Sequence, residues 1–198
     1  SGTVPVWMPT AETLFECAAA PRHLVIVGAG AIGLEMAAAF RRLGTRVTVL
    51  DIADRVLPLA IPEASAALRD GLVSQGIDVR TSTRIVAYEP DTRTLRVHGQ
   101  DRDEGIPGVD AVLVAIGRVP NVDGLTLEAA GLGADNNGIP VDTWGRTSTK
   151  GIWAVGDVTL GSHQTHAANA LGRRIIQRIA LPWLPPTGRP PLIPSAVF

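Results

Sequence analysis

The sequence has little cysteine, few aromatic residues and no excess of charge of one sign. A single cysteine, Cys17, excludes an internal disulfide and a cysteine-based metal site, and makes a reducing cytoplasm the default location. The formal net charge of −1 gives no electrostatic footprint for nucleic acid or for an anionic membrane. No apolar run reaches the length of a transmembrane helix. From the charge and the lack of such a run together, we expect neither nucleic acid nor a membrane among the partners.

The scarcity of aromatic residues also constrains the core. They make up 4% of a chain that is 45% hydrophobic, so the core must be built from Val, Ile, Leu and Ala. An aliphatic core of this kind suits a parallel sheet that is covered by helices. At 198 residues the chain is long enough for one large domain or two small ones.

One stretch, residues 23–51, has the order strand, glycine-rich turn, helix and strand. His23–Val27 is a short run rich in β-branched residues, which predicts a buried strand. The turn GAGAIG (28–33) follows without a spacer, and residues 34–43 are strong helix formers. Arg46–Leu50 predicts a second strand. This order is typical of a nucleotide-binding βαβ unit.

Three glycines and one acid in this stretch indicate a dinucleotide. Gly28 allows the tight turn out of the strand, Gly30 lets a pyrophosphate approach the backbone, and Gly33 lets the helix pack closely on the sheet. The helix N-terminus directs N–H groups and its positive dipole end at the phosphates. Asp51 ends the second strand, close to the offset of about 20 residues expected for a ribose-binding acid. Since its carboxylate would repel a 2′-phosphate, the sequence predicts NAD(H) over NADP(H). An ordinary turn without a ligand is the alternative.

The remaining pattern predicts further α/β structure. The predicted elements are, in order, a helix from Pro62 that ends at Gly76, a parallel strand over residues 77–80, a hairpin of residues 84–88 and 94–98, a polar loop over residues 99–108, a buried strand over residues 110–116, strands over residues 138–141 and 151–157, and a helix over residues 165–179.

Two places in the second half have the layout of a ligand site. Gly117 and Arg118 follow a predicted strand at the end where ligands bind in open α/β sheets; Arg118 would serve either a phosphate or a neighbouring carboxylate. Gly156-Asp157 ends another predicted strand ahead of a helix whose dipole suits an anionic reduced flavin, although a simple helix cap is the alternative. Two histidines, His163 and His166, lack a third ligand at metal spacing, so no metal site is predicted.

Together these motifs resemble the FAD-dependent pyridine nucleotide–disulfide oxidoreductase family, which includes dihydrolipoamide dehydrogenase, mercuric reductase and glutathione reductase. The similar segments are VIVGAGAIGLE (25–35), VTVLD (47–51), LVAIGRVPN (113–121), TSTKGIWAVGDV (147–158) and THAANALG (165–172). The last residues, IPSAVF (193–198), are similar to the first strand of the family's dimerisation domain.

The resemblance implies sites for two cofactors, NAD and FAD; we assign no catalytic residue and no metal ligand in this chain. The implied NAD residues are Gly28, Ala29, Gly30, Ala31, Ile32, Gly33 and Glu35, with Asp51 on the adenosine ribose, Ile85 beside the adenine and Gly117 near a strand end. The implied FAD residues are Asp157, His163, Gln164, Thr165 and His166. The family more often has Leu, Ala or Thr at positions 164 and 165, and Glu where this chain has Leu171.

The resemblance also implies a fold and a division of the chain. We expect a Rossmann-like, three-layer ββα domain, a parallel sheet with an antiparallel β-meander, plus a partial FAD-domain segment. The implied parts are a linker from the FAD domain (1–20), the NAD-binding domain (21–120), the second half of the FAD-binding domain (121–181), and a proline-rich linker with the start of the dimerisation domain (182–198).

The family's activity follows as an expectation. The intact enzymes are homodimers that pass hydride between NAD(H) and FAD, and their flavin exchanges electrons with a CxxxxC disulfide. This chain contains no CxxxxC, no second GxGxxG and no His-Glu pair of the dimerisation domain, so we expect it not to be catalytically complete. A free-standing NAD-binding regulatory module and a reductase of the ferredoxin or NADH-oxidase type are the alternatives.

Overall fold

The chain forms two compact units that divide after Gly117. The computed structural model describes residues 13–99, 101–135, 138–159 and 165–183. The elements of the first unit are β1 His23–Val27, α1 Ala31–Arg42, β2 Arg46–Leu50, α2 Pro62–Ser74, β3 Asp78–Arg80, β4 Thr83–Glu89, β5 Thr94–Gly99, β6 Arg102–Ile106 and β7 Ala111–Val114.

The first unit contains a parallel and an antiparallel sheet. The parallel sheet has the order β3-β2-β1-β7, and β1 lies in register with β2 from His23 opposite Arg46 to Val27 opposite Leu50. The antiparallel sheet has the order β4-β5-β6. Since all four parallel strands run the same way, their carboxyl ends lie at one edge of the sheet, where Gly28 follows β1, Asp51 follows β2 and Gly117 comes shortly after β7.

The core consists of two buried clusters, one on each face of the parallel sheet. Leu24 and Ile26 of β1 belong to a cluster with Leu34 of α1, on the helix side. Val25 points to the opposite face and belongs to a cluster with Val97 of β5. This alternation is the period of two that a strand buried on both faces requires. The predicted three-layer ββα arrangement is therefore confirmed.

One predicted loop is in fact a strand. Residues 99–108 were expected to be irregular because they are polar and contain glycine, but Arg102–Ile106 forms β6 and pairs with β5 along its whole length. Its last residue, Ile106, is buried in the sheet-side cluster. The other differences are small: the strand predicted over residues 110–116 is shorter, as β7, and the strand predicted over residues 77–80 begins at Asp78.

A short segment ahead of β1 contributes to the first unit. Thr13–Glu16 forms a single 3-10 turn, and Leu14 is fully buried in the helix-side cluster. The prediction that residues 1–20 are a linker concerns mainly residues outside the described part.

The second unit, as far as it is described, contains one long helix, a short 3-10 helix over Leu127–Ala130 and irregular segments. The helix, α3, spans Thr165–Ala180, close to its predicted bounds. The strands predicted over residues 138–141 and 151–157 are wrong, because those residues form only isolated bridges, such as Ile139 with Thr159 and Arg146 with Trp153. No helix within the described ranges is long and apolar enough to cross a membrane.

Candidate functional site

The glycine-rich turn between β1 and α1 is built around two glycines that the fold requires. Gly28 has a φ of +111°, and a Cβ at this position would collide with the backbone oxygen of Ala115 after β7. A Cβ at Gly33 would collide with the backbone oxygen of Gly28, so the first turn of α1 lies directly against the end of β1. A side chain at Gly28 would push the turn away from the end of β7, and one at Gly33 would push the helix away from the end of β1.

Gly30 differs from these two glycines because nothing in the described structure requires it. Its φ of −79° is open to every residue, and no described atom lies within 4 Å of the place where a Cβ would be. Gly30 is the N-cap of α1, a position at which Ser, Asn or Asp would satisfy the helix at least as well. The absent side chain therefore leaves open space directly over the helix N-terminus.

That helix N-terminus is suited to an anion. The first intrahelical bond of α1 runs from the Leu34 N–H to the Gly30 oxygen at 3.0 Å, so the N–H groups ahead of Leu34 have no partner within the helix. The first turn carries no acidic residue, and two arginines lie in the last turn. The dipole end is thus left without a neutralising acid of its own, which favours a phosphate there.

Asp51 lies at the carboxyl end of β2 and reaches the glycine-rich turn. Its Oδ2 accepts a hydrogen bond from the Ala29 N–H at 2.5 Å, and its Oδ1 accepts one from the Ala53 N–H at 2.8 Å. Each carboxylate oxygen has two lone pairs, so both retain capacity for a ribose hydroxyl. The carboxylate is half-buried, which leaves one side accessible.

The loop after β2 also holds the glycine-rich turn, a feature that sequence reasoning missed. The Leu57 N–H donates to the Ala29 oxygen at 2.9 Å, so Ala29 is bonded on both sides. Val56 is fully buried, and its oxygen accepts a hydrogen bond from the Ser65 hydroxyl of α2. The signal available in the sequence was the apolar pair Val56-Leu57 within an otherwise polar loop.

The other predicted NAD residues lie on neighbouring elements of the first unit. Ala31, Ile32 and Glu35 lie on the first turns of α1, and all three are partly exposed. Gly117 follows β7 with a φ of +153°, and the β1–β7 pairing places its segment beside the end of β1. Ile85 is exposed on β4 in the antiparallel sheet.

The predicted FAD residues belong to the second unit and are only partly described. Asp157 lies in a turn after Gly156, whose φ is +87°, and Thr165 and His166 open α3 as exposed residues. His163 and Gln164 lie outside the described residues. Among the residues that are described, no group of histidine, cysteine and acidic side chains could hold a metal ion.

Arg118 pairs with a neighbouring carboxylate, which is one of the two partners that the sequence allowed for it; the other was a phosphate. Its Nη1 lies 3.7 Å from Oδ2 of Asp157, and both side chains are more than half exposed. An exposed ion pair at this distance contributes little stability, so a ligand could displace it at small cost.

Comparison with known proteins identifies the family. Residues 8–172 match the family model of the pyridine nucleotide-disulphide oxidoreductases. Dihydrolipoyl dehydrogenase 3 of Pseudomonas aeruginosa is 40% identical over 163 residues, which cover 81% of this chain and 35% of that protein. A mercuric reductase of Lysinibacillus sphaericus is 35% identical over 161 residues, 80% of this chain and 30% of that one. The chain thus spans about a third of the length of these relatives.

Solved structures show the same likeness. The HOCl-induced flavoprotein disulfide reductase RclA from Escherichia coli superposes with a TM-score of 0.74 and 29% identity, over 91% of this chain and 42% of that one. LpdA from Mycobacterium tuberculosis gives a TM-score of 0.73 and 31% identity, over 90% of this chain and 39% of that one. By the extent of the family match, this chain is a member of the pyridine nucleotide-disulphide oxidoreductase family.

Proposed function

We propose that this chain binds NAD(H) at the turn between β1 and α1 and is the pyridine-nucleotide part of a flavoprotein oxidoreductase. The family uses FAD and NAD(H). The observation that carries the proposal is Gly30, a glycine with open space above it at a position where the fold needs none. A pyrophosphate that approaches the backbone accounts for that absent side chain.

The proposed roles follow the chemistry of each group. The N–H groups at the start of α1 bind the pyrophosphate, and Gly30 gives it access. Asp51 accepts hydrogen bonds from the adenosine 2′- and 3′-hydroxyls and repels a 2′-phosphate, which selects NAD(H). Glu35 lies toward the nicotinamide, and Ile85 flanks the adenine. Gly117 allows the dinucleotide to pass close to the backbone.

For the whole protein we propose hydride transfer between NAD(H) and FAD, the cofactor that supplies the electron relay when bound. Asp157 would bind the ribitol or phosphate region, and residues 163–166 would lie along the flavin. With Cys17 as its only cysteine, this chain cannot form a dithiol pair. We therefore expect the 198-residue chain to bind NAD(H), to hold FAD weakly or not at all, and to lack disulfide reductase turnover. Tight stoichiometric FAD with dithiol activity would contradict this.

We propose that the whole protein is a cytoplasmic homodimer, as the resemblance implies. The likeness of residues 193–198 to the start of the family's dimerisation domain supports this, although those residues lie outside the described part. A regulatory module without redox chemistry is not favoured, because the family match extends through the residues of the second unit to position 172.

The proposal is tested most simply at Gly30. A Gly30→Ser variant adds a side chain into the open space while supplying a good N-cap, so its stability should equal or slightly exceed that of the parent chain. Its affinity for NADH should fall by about ten-fold or more, because the new Cβ and hydroxyl occupy the path of the pyrophosphate. Isothermal titration with NADH measures the affinity and urea unfolding measures the stability.

The matched control is Gly71→Ser on α2, where a Cβ also meets no described atom within 4 Å. This variant should bind NADH as the parent chain does. Undiminished NADH affinity in Gly30→Ser would remove the main support for a pyrophosphate at this turn.

A further inference from the structure

A second possible site lies at β3, the edge strand of the parallel sheet. A cavity of about 290 Å³ is flanked there by α2 and by the antiparallel sheet. Its lining includes three arginines from three different elements, namely Arg69 of α2, Arg80 of β3 and Arg102 of β6. None of the residues predicted to bind NAD(H) or FAD lines this cavity.

One carboxylate, that of Glu104, pairs with two of these guanidinium groups. Oε2 of Glu104 accepts from Nη1 of Arg80 at 3.0 Å, and Oε1 of the same residue pairs with Nη2 of Arg102 at 2.5 Å. Arg80 is only 28% exposed, and its Nε also donates to Asp78 at 2.9 Å. A guanidinium has five N–H donors in a rigid fork, so the bonds of Arg80 orient that group, whereas Arg102 is 69% exposed and is held more loosely; both groups keep donors for an anion.

The third arginine is nearly free to turn toward a ligand. Arg69 lies 3.9 Å from Asp70, its neighbour in sequence, and both side chains are exposed, so this ion pair holds it weakly. The lining therefore combines three guanidinium groups with a single carboxylate, Glu104, while Asp70 and Asp78, which pair with Arg69 and Arg80, are not part of the lining. Such a surface attracts an anion.

The size and the donors of the cavity indicate the class of anion. Its volume of about 290 Å³ is larger than one inorganic ion needs. Guanidinium forks match phosphate oxygens in geometry, and Thr81 and Thr83 also line the cavity. We propose that this arginine cavity binds a small phosphate monoester, separately from the dinucleotide.

The experiment is a titration of the full 198-residue chain, labelled with ¹⁵N, first with inorganic phosphate and then with glycerol phosphate. Chloride keeps the ionic strength constant. Saturable shifts are expected for the amides of Thr81, Thr83 and Gly99, with tighter binding of the monoester. Arg69→Ala and Arg102→Ala should each weaken the binding by about ten-fold, since each removes a charge-assisted contact.

Arg42→Ala is the matched control, because Arg42 is exposed on α1 and does not line the cavity. It should leave the phosphate affinity unchanged. A shift that does not saturate, or an equal loss in Arg42→Ala, would mean diffuse surface charge and would overturn the proposal. Competitive displacement of phosphate by NADH would also overturn it, by assigning the cavity to the dinucleotide. Failure of NADH to bind, with phosphate binding intact, would contradict only the function proposed above.

Discussion

At the scale of the residue, Asp51 has a structural role in addition to its proposed contact with ribose. It accepts from two backbone N–H groups, one in the glycine-rich turn and one in the loop after β2. The sequence could predict an acid at this place from its offset after the turn. It could not predict the bond to Ala29, because that bond depends on how β1 and β2 bring two distant segments together.

The double hydrogen bond of Asp51 predicts a loss of stability on substitution. Asp51→Asn keeps one acceptor oxygen and places an NH₂ group against a backbone donor, so the free energy of unfolding should fall by about 1–3 kcal/mol. Urea unfolding measures this loss. Asp54→Asn is the control, since Asp54 is exposed in the same loop and should lose almost nothing. Equal losses of unfolding free energy in the two variants would show that the hydrogen bonds of Asp51 do not stabilise the fold.

His23 predicts a pH dependence of stability. It is buried at the start of β1, and its Nε2 lies 3.1 Å from the Thr48 hydroxyl. Burial, assisted by the positive charge of Arg46, lowers the pKa of His23 below its ordinary value of 6.5. The unfolded chain therefore takes up this proton more readily than the folded chain. Stability should be complete above pH 6.5 and should fall as the pH drops from 6.5 to the pKa of the folded state.

The test of this dependence compares unfolding free energies at about pH 5.5 and about pH 7.5. His23→Gln, which cannot titrate, should reduce the difference between the two pH values. His166→Gln serves as the control, because His166 is exposed at the start of α3. An unchanged pH difference in His23→Gln would show that His23 is not the responsible group.

At the scale of the element, the glycine-rich turn is the junction that places α1 on the sheet. Gly28 and Gly33 each bring backbone against backbone, whereas Gly30 faces open space. The three glycines look alike in the sequence, and the motif itself predicts a different role for each. The structure shows close backbone contacts at Gly28 and Gly33 and open space at Gly30, while the contact of Gly30 with a pyrophosphate stays a prediction.

This distinction predicts opposite outcomes for substitutions within one turn. Gly33→Ala should lower the free energy of unfolding by about 1–3 kcal/mol or more, because the new Cβ meets the Gly28 oxygen and the helix must move. Circular dichroism during urea unfolding measures this, with Gly30→Ser as the stable comparison. A Gly33→Ala chain as stable as the parent would mean that α1 does not pack against this turn as described.

The elements that the sequence did not predict depend on distant pairing. β6 carries Asp103 and Gly105, which are unfavourable for a strand on their own, and it forms because β5 supplies a partner along its length. The reverse holds in the second unit, where residues 151–157 have the composition of a strand but gain only a single bridge. Local pattern gave the well-buried strands and the helices correctly, since their periodicity is set by burial within the element itself.

At the scale of the whole molecule, the fold of the first unit and the extent of the family match agree with the prediction from the sequence. The first unit has the three layers expected of a nucleotide-binding domain, and the family model covers residues 8–172 across both units. The arginine cavity could not be predicted, because Arg69, Arg80 and Arg102 are far apart in sequence and carry no recognisable spacing. The site residues remain predictions until ligand binding is measured.

The central claim is that the chain binds NAD(H) at the turn between β1 and α1 and selects it through Asp51. The most direct measurement is a calorimetric titration of the 198-residue chain with NADH and with NADPH under the same conditions. We expect saturable binding of one NADH for each chain, and NADPH binding weaker by about ten-fold or more, because the Asp51 carboxylate repels the 2′-phosphate. Equal or tighter binding of NADPH, or no binding of either nucleotide, would contradict it.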